Sequence, residues 1–515
     1  MKEKIVITLL VFSAAIIRFL LIARDSVPFA YDMGRDLLWA KDISFYHTPT
    51  LIGPAASIWG VYFQPFWYYF LSIPLLLTGG NPLSAVFATA AMVLLTGFLA
   101  FILFKNYLPK IYIFTLAVLL LFSSNLINIS TFAFHANLLP LLTLLTTYFI
   151  FASIVKNPLN FSLAAFFVSL MFSADPAPAV AFTIVLVFFF FFLKLYKSRE
   201  AIKTAVTSAV FYLIPFIPQI IFELRNNFIQ TKSLFAYFSG NNPSLSGQLP
   251  LLGRIPNRLS VYFDFVKANF APQNILTLTL IIFTIYGLYK FSKSISNRQS
   301  TINNALHTLF RINLYIFIIT FLINTFLVNV EIKNWYLSGQ AVNAAFLIVF
   351  ALVGIRSKIL TLLFLTIFLL ANLLPVTSSH KIARAAADPA TLSNQLKVID
   401  TIYADKTDPF SVYVYTPSIY DLNYQHLFWW QGIKKGKGLP ADFAYLPQEP
   451  DYVRNKSKYF VSLGSSNTIY LIIENAQENQ FYTSADWQTN FNEYKIVWEK
   501  NINGAIRVQK KVKQN

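Results

Sequence analysis

The chain has 515 residues, of which 56% are hydrophobic and only 12% charged, with 52 Phe and a formal net charge of +18. That apolar content exceeds what one soluble core of this length uses, which excludes an ordinary soluble enzyme and indicates a polytopic membrane protein. The basic excess fits cytoplasmic anchoring loops and anionic lipid or phosphate ligands rather than nucleic acid, and the lack of Cys removes disulfides and thiolate metal sites.

In chain order, the apolar stretch from Ile5 to Ala23, interrupted only by Arg18, follows Lys2 and Lys4. It reads as a retained first span, because no small-residue cleavage site follows and further spans do. The first outer loop, residues 25–83, opens with "YDMGRDLLWAKDI" and gathers Asp32, Arg35, Asp36, Lys41 and Asp42. Asp32 precedes a helical pattern of Leu37, Leu38, Ala40 and Ile43, so one reading is an N-cap with a salt-bridged Arg35. The other follows from spacing: residues 32, 35 and 36 share a helix face, and two carboxylates so placed repel until a cation or a substrate hydroxyl relieves them. Residues 65–78 are apolar but shorter than the about 20 residues a span needs, and "PFWYYF" loads their start with interfacial aromatics. A surface helix is expected there, with Trp67, Tyr68 and Tyr69 near headgroup level.

Further spans are expected near 84–104, 111–128, 138–155, 160–174, 177–195, 205–222, 274–291, 312–330, 338–355 and 359–375, giving about eleven with the first. If 65–78 lies on the surface, the loops "KNYLPK", "KNPLN", "KLYKSREAIK", "KFSKSISNRQ" and "RSK" all fall on the cytoplasmic side, as the positive-inside rule requires. The N-terminus is then cytoplasmic. The outer face receives His135 and Asn137 in "FAFHANLLP", Asp175 in "FSADPAP", a turn-rich loop at 223–273, and Lys333 with Tyr336 in "VEIKNWYLSGQ". His135 reads as an interfacial cap or as a hydrogen-bond partner for a sugar hydroxyl, and Asp175 as a turn starter or an acceptor contact. Residues 1–375 form the membrane part. Residues 376–515 read as a small extracytoplasmic α/β domain, with a helix in "ADPATLSNQLKVIDTIYADK" and strands in "FSVYVYTP", "SKYFVSLG", "TIYLIIEN", "YKIVWEK" and "AIRVQKK".

"YDMGRDLLWAKDI" followed by "QPFWYYFLSIPLLLTGGNP" resembles the first outer loop of GT-C class membrane glycosyltransferases, in particular the family 39 group of protein O-mannosyltransferases and the lipid A aminoarabinose transferase. The shared order is an Asp after the first span, an Arg three residues on, and a Pro-aromatic surface helix. Two departures stand out: Met33 occupies a position where the class often has an acid, and Phe63-Gln64-Pro65 replaces Glu-Lys-Pro. With five dispersed His besides, the sequence identifies no cofactor and leaves a divalent metal as an option only.

The resemblance implies transfer of a sugar from a polyprenyl-phosphate donor to a hydroxyl or amine of a glycan, lipid or protein acceptor, with inversion, at the outer face of the cell membrane. Such chemistry needs a base for the acceptor proton and cations for the charge growing on the departing phosphate. Asp32 is the first choice for the base and Asp36 the second. Arg35, Arg225, Arg254, Arg258, Lys333 and Tyr336 are candidates for the phosphate, and Asp175, His135 and Gln64 for acceptor or auxiliary contacts. "KNWYLSG" resembles the late Lys and Tyr loop of the aminoarabinose enzymes. A transporter or flippase for a lipid-linked or anionic solute is the alternative; it would place ionisable groups at mid-membrane and show internal repeats. A scaffold acting through the outer domain is a third reading, without positive signal.

Overall fold

A computed structural model describes residues 2–23, 27–197, 199–240, 249–295, 301–329, 331–377, 387–406, 409–449, 451–464, 466–475, 478–479 and 481–514. Long apolar runs become helices because only intrahelical hydrogen bonds satisfy the backbone away from water. In the first part of the chain these are α1 (Lys2–Ala23), α2 (Tyr31–Tyr46), α3 (Phe66–Leu77), α4 (Leu83–Phe104), α5 (Lys110–Phe122), α6 (Ser124–Ile129), α7 (Leu139–Val155), α8 (Asn160–Leu170) and α9 (Pro176–Phe192). They continue with α10 (Ala201–Leu213), α11 (Ile217–Arg225), α12 (Ile229–Phe238), α13 (Leu251–Phe270), α14 (Asn274–Ile295), α15 (Thr301–Phe326), α16 (Gln340–Ile355) and α17 (Lys358–Thr377).

Among the described residues seven helices are long and apolar enough to cross a membrane, and five shorter apolar helices accompany them. Each expected span falls on one of these twelve, and the remaining one is α3. The chain is a multi-pass membrane protein. Small residues let the central helix α16 approach its neighbour: an added Cβ on Gly287 of α14 would meet the Ala351 backbone oxygen at 2.6 Å. Arg18, the charge inside the first span, is consumed locally. It donates to Ser130 Oγ at 3.0 Å and to the carbonyls of Ala14 and Leu121 at 3.1 and 3.0 Å.

Two sequence expectations change here. The loop at 223–273 is mostly helical, as α12 and α13, while residues 241–248 of its turn-rich stretch lie outside the described set. On α3, Trp67 and Tyr68 turn inward and are fully buried, whereas Ile73, Leu76 and Leu77 are exposed. The indole has a polar partner inside, and the aliphatic side has none.

The C-terminal domain adds α18 (Leu392–Asp405), α19 (Leu422–Trp429) and α20 (Ser484–Gln488) around one sheet. Its strands are β1 (Phe410–Tyr415), β2 (Asp442–Ala444), β3 (Thr468–Glu474), β4 (Tyr494–Ile502) and β5 (Ile506–Lys513), in the order β2-β1-β3-β5-β4. β2, β1 and β3 run parallel, and β5 and β4 close the sheet in antiparallel fashion. β1 is buried along its whole length, as parallel strands covered on both faces are. "SKYFVSLG" is not a strand: both sides of β1 are taken by β2 and β3, and this segment meets the sheet through Leu463 N–H to the Ala441 carbonyl at 3.0 Å.

The domain is fastened to the segment between α1 and α2. Phe29 N–H donates to the Ala390 carbonyl at 2.6 Å, Leu392 N–H to that of Val27 at 3.0 Å, and Gln395 Nε2 to that of Phe29 at 3.0 Å. Farther along, α2 and α19 touch backbone to backbone at Gly34, where an added Cβ would lie 2.3 Å from the Asn423 nitrogen.

Candidate active site

The helix α2 begins two residues earlier than an Asp32 cap would require. Its N-cap is Ala30, with no side-chain cap bond, so the capping reading of Asp32 does not hold. Instead Asp32 Oδ1 lies 2.8 Å from Arg35 Nη1, and Arg35 Nη2 lies 2.8 Å from Asp36 Oδ1, with Nε donating to the same oxygen at 2.9 Å. The guanidinium is the cation that relieves the repulsion between the two carboxylates. Asp36 Oδ2 accepts from Trp67 Nε1 at 2.7 Å, which ties α2 to α3.

The two acids differ in surroundings: the Asp32 side chain is 53% exposed and that of Asp36 1%. Burial raises the Asp36 carboxyl to about 6, assisted by the charge of Asp32 and opposed by Arg35 and Trp67. Burial works against the charge of Arg35, yet Asp36, Tyr68 and Asp32 outweigh it and hold the guanidinium firmly protonated.

A second group adjoins the first through the segment that leads into α3. The Phe63 ring stands edge-on to His135 at 4.8 Å, Gln64 Oε1 accepts from Ser173 Oγ at 3.3 Å, and Gln64 N–H donates to the Phe172 carbonyl at 3.3 Å. Gln64 Nε2 is buried and finds no partner among the described residues. His135 Nδ1 makes a short contact with the Ala174 carbonyl. Asp175 caps α9 by accepting from Ala177 N–H at 3.0 Å, and Trp335 Nε1 donates to its other oxygen at 3.3 Å. Burial raises the Asp175 carboxyl to about 7. Tyr336, one residue on from that indole, is raised by burial first and by Asp175 second.

No protein-family model and no curated protein sequence matches this chain. In solved structures the likeness is clear: ArnT from Cupriavidus metallidurans bound to undecaprenyl phosphate aligns over 98% of this chain and 97% of its own, at 10% identity and a TM-score of 0.57. The chain has a GT-C fold. The apo form of the same ArnT aligns at TM-score 0.46 with 12% identity over 99% and 98% of the two chains. An Archaeoglobus fulgidus oligosaccharyltransferase in complex with Zn and sulfate gives 0.43 and 13% over 96% and 72%.

Within this GT-C fold the sequence-chosen residues separate into two sets. Asp32, Arg35 and Asp36 converge, His135 stands close enough to feel the charge of Arg35 and is joined to Gln64 through Phe63, and Tyr336 feels the charge of Asp175. Lys333 lies on the same loop as Tyr336, exposed and paired with Glu331 at 2.6 Å. Arg258 and Arg254 are used elsewhere. Arg258 donates to the carbonyls of Asn324 and Val328 at 2.9 and 3.1 Å, and Arg254 to those of Leu249 and Phe326 at 2.7 and 3.4 Å. Three of these carbonyls, those of Asn324, Phe326 and Val328, lie at or just past the end of α15, a position that favours cations, and the fourth, that of Leu249, leads into α13. Arg225 is exposed at the end of α11, while its neighbour Glu223 caps α12 through Gln230 N–H and Thr231 N–H, each at 2.9 Å.

No group of three or more His, Asp or Glu side chains gathers to hold a metal among the described residues. Sequence reasoning missed Trp67 and Trp335 as partners of the two buried acids. It also missed the second half of α2: Lys41 Nζ lies 3.2 Å from Asp42 Oδ1 and 4.2 Å from the Tyr459 ring centroid, and Asn455 Nδ2 donates to Asp42 Oδ2 at 2.9 Å. Nothing in "LWAKDI" marks its charges as buried under a domain 400 residues away.

Proposed function

We propose that the protein is a membrane glycosyltransferase that moves a sugar from a polyprenyl-phosphate donor to an acceptor hydroxyl or amine on the outer face, with inversion. The observation that carries this reading is the half-exposed Asp32 carboxylate joined through Arg35 to a fully buried Asp36. It lies in a fold shared with a protein that binds undecaprenyl phosphate.

In the displacement, the acceptor oxygen or nitrogen bonds to the anomeric carbon as the bond from that carbon to the phosphate oxygen breaks. The acceptor proton passes to Asp32, and polyprenyl phosphate leaves with the electron pair. Arg35 has two carboxylates to serve. A donor phosphate competes with Asp32 for the guanidinium, and this exchange frees the carboxylate for the proton while Asp36 keeps Arg35 in place. Lys333 and Tyr336 are the next phosphate contacts, because Arg254 and Arg258 would have to abandon backbone carbonyls to reach a donor and exposed Arg225 would act only at the rim. Asp175, His135 and Gln64 face the acceptor side, where the buried amide of Gln64 has a donor to offer. The N-terminus is cytoplasmic and the α/β domain outside in this reading.

The test is a lipid extract from cells lacking the protein. Accumulation of a polyprenyl-phosphate sugar, reversed by the wild-type chain and not by Asp32→Asn, supports the reading. An unchanged lipid pool together with full complementation by Asp32→Asn overturns it.

A further inference from the structure

The C-terminal domain meets the membrane part at a turn of unusual geometry and charge. After α19 the chain forms one π-helical turn, Trp430–Lys434, followed by Gly436 and Gly438 in the left-handed region at φ of 70° and 81°. Such turns are rare and recur at functional sites. The sequence is "GIKKGKG", and residues 433–436 are all exposed.

Its height is fixed by the residues just before it. His426 Nε2 contacts the Gly80 carbonyl at 3.1 Å, and an added Cβ on Gly80 would meet the Trp429 and Trp430 rings at 2.6 and 3.2 Å. Gly80 lies between the exposed apolar end of α3, where Leu77 is 79% exposed, and the start of α4, which is long and apolar enough to cross a membrane. The turn therefore sits beside the junction of α3 and α4, where those apolar helices meet, with both indoles buried against Gly80. Ile433 projects from the same turn with 42% of its surface exposed.

The charge is uncommitted there. Lys437 pairs with Asp400 at 2.8 Å, but neither Lys434 nor Lys435 has an acidic partner among the described residues. Their ammonium groups rest over aromatic rings, Lys434 at 3.9 Å from the Phe45 centroid and Lys435 at 5.5 Å from that of Trp430. Ammonium groups held over aromatic faces, with no carboxylate to neutralise them, keep a positive charge that headgroup phosphates can meet.

We propose that the 433–438 turn is a lipid-docking element in which Lys434 and Lys435 bind the phosphates of anionic phospholipids of the surrounding leaflet, with Ile433 entering the acyl boundary. The inference does not depend on the transfer reaction. Full-length protein in nanodiscs of phosphatidylcholine mixed with phosphatidylglycerol tests it. The lipids retained are counted by native mass spectrometry, and a fluorophore on Ile433→Cys, in a chain that has no other Cys, is quenched by headgroup-labelled lipid. Wild-type protein should retain phosphatidylglycerol preferentially, and each of Lys434→Glu and Lys435→Glu should lower that preference by about fivefold or more. Lys495→Glu, on the edge strand β4 at the other end of the sheet from β2, should leave it unchanged. Equal retention by wild type and the double Glu variant, or quenching at position 433 no stronger than at a fluorophore on position 495, overturns the proposal.

Discussion

In the first half of α2, Arg35 bridges Asp32 and Asp36 with one carboxylate open to solvent. In the second half, Lys41 and Asp42 pair with side-chain exposures of 0% and 2% beneath Tyr459 and Asn455 of the C-terminal domain. The helix and the charge types are the same, and the lid is different. A buried pair whose partners are all protein groups holds surfaces together, whereas a pair with one exposed member has room for a substrate. Gly34 lies within the first half, between Asp32 and Arg35, and lets α19 press on the helix there. The C-terminal domain thus touches α2 in both halves, through Asn423 at Gly34 and through Asn455 at Asp42.

The largest effect is expected at Asp32. Asp32→Asn alters no helix cap, because Ala30 is the N-cap, and it should reduce sugar transfer by about two to four orders of magnitude with an unchanged melting temperature. A variant within about threefold of wild type would erase the proposed contrast between the halves. At the sealed end the readout is stability instead. Lys41→Met leaves the Asp42 carboxylate buried without its cation and should cost about 3–5 kcal/mol, and adding Asp42→Asn should recover most of it. The loss should be read by thermal denaturation in detergent; if Lys41→Met melts like wild type, the clamp role fails.

Gly34→Ala is expected to push the two backbones apart and to cost about 1–3 kcal/mol. It also sharpens the comparison, since a kcat loss without a KM change in the folded variant would show that the C-terminal domain positions Arg35 in the transition state. The smallest effect is a pH limb. Asp36 binds its proton more tightly in the folded state than an ordinary Asp of pKa about 3.9, so the stability linked to it is full below about 4 and is lost as pH rises through about 6. Activity should run the other way, because the ionised carboxylate secures Arg35. Transfer at pH 5 should be about tenfold below its value at pH 7, and the limb should vanish in Asp36→Asn. A limb that persists in that variant belongs to another group.

Much of the membrane part is visible in the sequence because its signals are local. Each long apolar run became a helix, and the i, i+3, i+4 spacing of Asp32, Arg35 and Asp36 placed them on one face. What stayed hidden depends on distant partners. The acceptors of Arg254 and Arg258 are main-chain carbonyls, which no residue letter records. Trp335 reaches Asp175 across 160 positions. α19 is buried at every residue from Leu422 to Trp429, so "LNYQHLFW" shows no amphipathic period, and β2 is three residues long, too short for alternation to register. α13 carries Gly253 and Pro256 in its first turns and is interrupted by Arg254, Arg258, Asp264 and Lys267, so it does not read as a helix until its contacts with α15 are known.

The fastening of Phe29 to Ala390 and Gln395 has a consequence for biosynthesis. The amide of Gln395 that bonds the Phe29 carbonyl leaves the ribosome 366 residues later, which at ordinary elongation rates is roughly 20–70 s. Throughout that interval the nascent first loop holds α2 without the segment that anchors its entry, and without Asn423 or Asn455 against it. A chain stalled before residue 390 therefore leaves the charges of α2 without that support. This makes premature termination before the last quarter of the message a route to an exposed, protease-sensitive first loop, detectable by limited digestion of truncated chains near residues 27–46.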